Sequence, residues 1–114
     1  MDAVFFETSA FSCLRPDYLD EEAYRTLPLA LMANPTMGDL MPRTGGFRKL
    51  RWPDSRRGKG KRGGLRMIYY WLLSDGQFWM FSIYDKDELE KLSSDQERQL
   101  KEVILSELKK RGTQ

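Results

Sequence analysis

Residues 65–73 and 77–84 are two runs of mostly apolar and aromatic side chains separated only by Ser74-Asp75-Gly76. Runs of this composition joined by a three-residue loop ending in glycine predict an antiparallel hairpin, with the glycine left-handed behind a type I turn. With that loop Leu73 faces Gln77, and pairing outward places Arg66 opposite Tyr84. Strand alternation then predicts one face of Met67, Tyr69, Trp71, Trp79, Phe81 and Ile83 as core. The other face carries Arg66, Ile68, Tyr70, Met80, Ser82 and Tyr84, mixing apolar area with a cation and hydroxyls. Register decides this grouping, since a one-residue slip exchanges the faces; a two-residue Asp75-Gly76 turn would set Tyr84 opposite Met67.

Other elements arrange themselves around the hairpin. Residues 3–7 read as a short first strand. Residues 8–35 are helical in pattern, with Asp17 or Asp20 as N-cap, an apolar face of Leu27, Ala30, Leu31 and Met32, and Asn34-Pro35 as the stop. Pro28 is expected to kink this helix or mark its true start. Residues 38–53 predict two short strands around Thr44-Gly45-Gly46, the second over 47–52. A short helix is expected over 85–92. Ser94-Asp95-Gln96-Glu97 is a capping box opening a last helix to about Lys110, tied to the core by Leu100, Val103, Ile104 and Leu108. The order predicts an α+β fold, a small antiparallel sheet with helices packed on one face. At 114 residues the chain fits one domain, 1–114.

Charge is distributed very unevenly. From Arg43 to Arg66 there are ten Lys or Arg against the single acid Asp54, a net +9, and the Gly-rich run 58–66 lies inside this segment. The rest of the chain carries 9 basic and 16 acidic side chains, so an overall +2 conceals a dipolar molecule. Clustered cations bind nucleic-acid backbone by releasing condensed counterions, which makes Arg48, Lys49, Arg51, Arg56, Arg57 and Arg62 candidate RNA- or ribosome-binding residues. An isolated charge run is ordinarily a solvated loop. Here the aromatic hairpin follows at once, and Arg66, Tyr84 and Lys86 converge beneath a loop bearing Lys59, Lys61 and Arg62. Cations stabilise a pentavalent phosphate, and aromatic rings stack on unpaired bases.

Several classes of function are excluded. With no histidine and a single cysteine, Cys13, the chain offers no Cys/His zinc site, no internal disulfide and no two-histidine nuclease. Asp85, Asp87, Glu88 and Glu90 have the order of an acid-rich first helical turn rather than a Mg²⁺ site, so neither metal nor cofactor is expected. No apolar run approaches a membrane span and the N-terminus lacks a signal-peptide pattern, so a cytoplasmic protein without a membrane partner is expected.

Three stretches, Gly-Gly-Phe-Arg-Lys-Leu-Arg at 45–51, Gly-Lys-Gly-Lys-Arg-Gly-Gly-Leu-Arg-Met-Ile-Tyr-Tyr at 58–70 and Ile-Tyr-Asp-Lys-Asp-Glu-Leu at 83–89, together resemble a HigB-type toxin of the RelE/ParE superfamily over almost the whole chain. The resemblance implies a microbial-RNase-like RelE fold and metal-independent, ribosome-dependent cleavage of mRNA in the A site. It also implies a cognate helix-turn-helix antitoxin, through which alone operator DNA would be bound. The family's basic active-site residues fall on Lys59, Lys61 and Arg66, with Tyr84 and Lys86 following the last strand. In-line attack by a ribose 2′-OH needs a base, cations on the phosphoryl oxygens and an acid for the departing oxygen. Lys59 or Lys61 is assigned to proton transfer, Arg66 and Lys86 to phosphate stabilisation, and Tyr84 to base stacking or nucleotide alignment. Pro28 departs from the expected helix, and Asp85 adds a negative charge beside the site. A gyrase-poisoning ParE-like toxin and a non-catalytic RNA- or ribosome-binding module are the alternatives.

Overall fold

The computed structural model describes residues 3–54, 64–86 and 93–111. Strand β1 (Val4–Glu7) leads into helices α1 (Ser9–Tyr18) and α2 (Glu21–Ala33). Strands β2 (Asp39–Leu40), β3 (Arg48–Trp52), β4 (Leu65–Leu72) and β5 (Gln77–Asp85) follow, and helix α3 (Ser94–Arg111) ends the chain. The strands form one sheet in the order β1-β5-β4-β3-β2. β1 runs parallel to β5, and every other neighbouring pair is antiparallel.

The helical region is two helices, each started by its own cap. Thr8 accepts from the Phe11 N–H and Asp20 from the Ala23 N–H, each satisfying one of the donors a helix start leaves open. α2 begins at Asp20's cap and continues through Pro28, so proline does not mark its start. The missing donor costs about 3 kcal/mol in a helix interior. Burial of Leu27 and Leu31 offsets it, at about 1.5–3 kcal/mol for each side chain.

α1 and α2 cover one face of the sheet. Phe11, Leu19, Leu27 and Leu31 pack there with Leu50, Met67, Tyr69, Phe78, Met80 and Ile83. The Tyr69 hydroxyl lies 2.9 Å from the Pro35 carbonyl and 2.6 Å from that of Met37, tying the chain after α2 to the sheet. On the opposite face Met41, Phe47, Ile68, Leu72, Trp79 and Tyr84 form a second cluster, against which Leu100 of α3 packs.

The hairpin departs from expectation in two places. Its loop is four residues, a 3-10 turn over Leu73–Asp75 closed by left-handed Gly76 at φ 63°, so Leu72 rather than Leu73 pairs with Gln77. A bulge on β5 between the Ile68–Ser82 and Tyr69–Met80 pairs then restores the register, and Arg66 does lie opposite Tyr84. Between loop and bulge the faces exchange. Met80 packs in the helix-side core, while Trp79 and Phe81 join the other cluster.

Of the apolar stripe of α3, two side chains are described. Leu100 is half-buried, but Val103 is 47% exposed. The Ile104 and Leu108 side chains lie outside those described, as do residues 87–92 of the expected short helix; Asp85 belongs to β5. No described helix is long and apolar enough to cross a membrane.

Candidate active site

Three strands bring the site together in rows. Arg51 on β3 is opposite Arg66 on β4, and Arg66 is opposite Tyr84 on β5, so all three leave the same sheet face. The next row along is Lys49, Ile68 and Ser82. This face is the one away from α1 and α2, and its centre is filled by the second cluster. Arg66 and Tyr84 thus stand where an apolar floor meets the basic end of the sheet.

Arg66 is half-buried, and its Nη1 donates to the carbonyl of Leu65 at 3.1 Å. Like charges directly opposed across strands repel, so the Arg51–Arg66 pairing concentrates positive potential at this spot. Tyr84 is 6% exposed, and its hydroxyl is buried without a hydrogen-bond partner. Burial raises the phenol's pKa, with the Arg66 charge opposing the shift, so at neutral pH it is a protonated O–H facing a cation. A ring so deeply covered has no free face for a base to stack on, which removes the stacking role expected of it. The hydroxyl is buried as well, so what remains is an aligning role beneath Arg66.

Lys86 follows immediately. Its side chain is exposed, and its backbone N–H donates to the Gly64 carbonyl at 3.0 Å, pinning together the outer ends of β4 and β5. Asp85 is 4% exposed and pairs with Leu65, so alternation turns it to the face opposite Tyr84. Its charge is directed away from the hydroxyl. Asp54, the lone acid of the basic segment, is 1% exposed and lies against Gly64, where a Cβ would come 3.3 Å from the Asp54 Cβ.

The remaining basic residues divide. Lys49 and Arg51 share the face of Arg66 and Tyr84. Arg48 does not; it pairs with core-facing Tyr69, and its Nη1 donates to the Thr36 and Gly38 carbonyls at 3.0 and 3.2 Å, holding the turn before β2. Arg56, Arg57, Lys59, Lys61 and Arg62 lie outside the described residues. Among the described residues no group of three or more His, Cys, Asp or Glu is placed to hold a metal ion. Sequence reasoning missed the outer edge of β3, where Asp39 faces Lys49. The first of the two short strands expected over 38–53 is β2, and the signal that it would be brief was Gly38 directly before it.

The fold has a counterpart of known structure. The free-state structure of E. coli toxin RelE, in a form with two arginine-to-alanine substitutions, matches with a TM-score of 0.52 at 14% sequence identity, covering 79% of this chain and 90% of that one. The fold is that of RelE. No family model matches the sequence. The RelE-like sheet therefore accounts for where Arg66 and Tyr84 are carried, while their chemistry has to be argued from these residues themselves.

Proposed function

We propose that this chain is the toxin of a type II toxin-antitoxin module, of the HigB kind, and that it cleaves mRNA in the ribosomal A site without a metal ion. The observation that carries this reading is the pairing of Arg66 with a buried, unpartnered, protonated Tyr84 hydroxyl on the polar end of a RelE-like sheet. Cleavage is attack of a ribose 2′-OH on the adjacent phosphate. The 2′ proton passes to one of Lys59 and Lys61, and the other protonates the departing 5′ oxygen as the P–O bond breaks. Charge growing on the phosphoryl oxygens is met by Arg66 and Lys86, with Tyr84 beneath Arg66 aligning it. The products are a 2′,3′-cyclic phosphate and a 5′-hydroxyl end.

The partners under this reading are the ribosome, its mRNA and a helix-turn-helix antitoxin, all in the cytoplasm. Inducing the chain in growing bacteria while following protein synthesis and mRNA 5′ ends tests it. New ends in register with codons, appearing as synthesis stops, are expected. Arrest with intact mRNA would instead make this a non-catalytic ribosome-binding module, and DNA breaks with intact mRNA would make it a gyrase poison.

A further inference from the structure

β2 is only two residues long, so most of the outer edge of β3 is uncovered. The reason is Gly38. Its φ is 87°, and a Cβ there would come 2.5 Å from the Lys49 carbonyl oxygen, so only glycine lets the chain lie against β3 at this point and then turn away. β2 pairs Asp39 with Lys49 and Leu40 with Arg48, and Gly38 lies against Leu50, so among the described residues no strand pairs with Arg51 and Trp52 on that side. A cleft of about 470 Å³ opens there, lined by Met37, Gly38, Asp39, Lys49, Leu50 and Arg51. That lies within the roughly 300–1,000 Å³ of small-molecule sites.

The lining has the donors, acceptor and apolar wall that a nucleotide needs. Arg51 and Asp39 are exposed and Lys49 is half-buried, and no ion pair to any of the three is found among the described residues. Half-buried Met37 supplies the apolar side, while Leu50, 3% exposed, packs into the helix-side core. The main chain contributes as well: Met41 N–H donates to the Phe47 carbonyl at 2.9 Å, so by alternation the backbone groups of Lys49 face Asp39 of β2 and those of Arg51 point to the open edge. The cleft shares Arg51 with the row Arg51–Arg66–Tyr84, which places it one strand away from Arg66.

We infer that this cleft is a subsite for the RNA nucleotide next to the scissile bond, with Arg51 holding its phosphate and the Asp39 carboxylate accepting from an exocyclic amino N–H of its base, a group uracil lacks. The inference rests on the reading of the chain as an RNA-cleaving enzyme. It gives a reason for a feature otherwise unfavourable, two arginines facing each other across strands: consecutive phosphates of one RNA strand lie against them. The carboxylate repels phosphate, so it sets which end of the nucleotide enters the cleft. It also selects bases that donate at that edge over uracil's carbonyls.

The test uses the full chain with programmed ribosomes, mapping every mRNA 5′ end and measuring binding against salt. Arg51→Ala is expected to lower the slope of log affinity against log salt by about one, and Arg51→Lys to restore it. Asp39→Asn is expected to change the base preference at one position beside the cut by roughly tenfold or more, the loss of a charge-assisted hydrogen bond, while leaving the other positions as they were. Unchanged slope in Arg51→Ala together with an unchanged end profile in Asp39→Asn, while Arg66→Ala abolishes cutting, would overturn the subsite and leave the RNase reading standing. A wild-type chain that cuts nothing would overturn both.

Discussion

The Tyr84 hydroxyl is buried in the same cluster as Ile68, Phe47 and Leu100 and has no hydrogen-bond partner. Such a group costs about 1–3 kcal/mol of stability. Tyr84→Phe is therefore expected to melt at or above the wild-type temperature and, lacking the hydroxyl that faces Arg66, to cleave up to about a hundredfold more slowly. Loss of stability with full activity would reverse both roles. Tyr69 is the structural contrast. Burial pushes its phenol up from about 10 to about 12, with Arg48 pulling the other way, and its hydroxyl meets the Pro35 and Met37 carbonyls. Below pH 10 folded and unfolded chains both keep the proton and the contribution to stability is complete. Between about pH 10 and 12 the unfolded chain ionises first, so stability falls as pH rises. Denaturation midpoints across that window should fall more steeply for wild type than for Tyr69→Phe, and parallel curves would contradict the assignment.

Among the elements, the β4–β5 hairpin was legible in the sequence at its functional end and misread at its turn. Arg66 faces Tyr84 because the extra loop residue is cancelled by the bulge on β5; without that bulge the two would be out of step. Alternation reveals a bulge only when one face is polar. Here both faces are covered with apolar residues, so nothing in residues 77–82 marks where Met80 and Trp79 exchange sides. The capped starts of α1 and α2 rest on local chemistry, with Asp20 readable from its acidic first turn. Continuation of α2 through Pro28 rests on tertiary burial, which no local pattern displays. α3 carries a readable stripe, of which Leu100 and Val103 are described. Val103 is 47% exposed and, with Phe6, Trp79 and Phe81, lines a cavity of about 280 Å³ under the helix. The amides of α3 should accordingly exchange with solvent well before those of β4 and β5, since opening it exposes little buried surface. Equal protection of α3 and the hairpin would show a tighter attachment than the described contact of Leu100 supplies.

At the scale of the whole molecule, charge separates the two sheet faces less than it separates segments. The block from Arg43 to Arg66 carries +9, and the structure assigns its members different tasks: Arg48 binds backbone carbonyls, while Lys49, Arg51 and Arg66 share the face with Tyr84. Neutralising Lys59, Lys61 and Arg62 together should flatten the salt dependence of ribosome binding by up to about three units if each meets a phosphate. An unchanged slope would mean that this part of the block does not contact RNA. The most direct measurement is cleavage of mRNA on purified ribosomes by wild-type chain and by a folded Arg66→Ala variant with wild-type circular dichroism. The account predicts cuts confined to the A-site codon, with 5′-hydroxyl ends, from the wild type. It predicts a rate lower by roughly a hundred- to a thousandfold from the variant. Equal cleavage by the two proteins would contradict it.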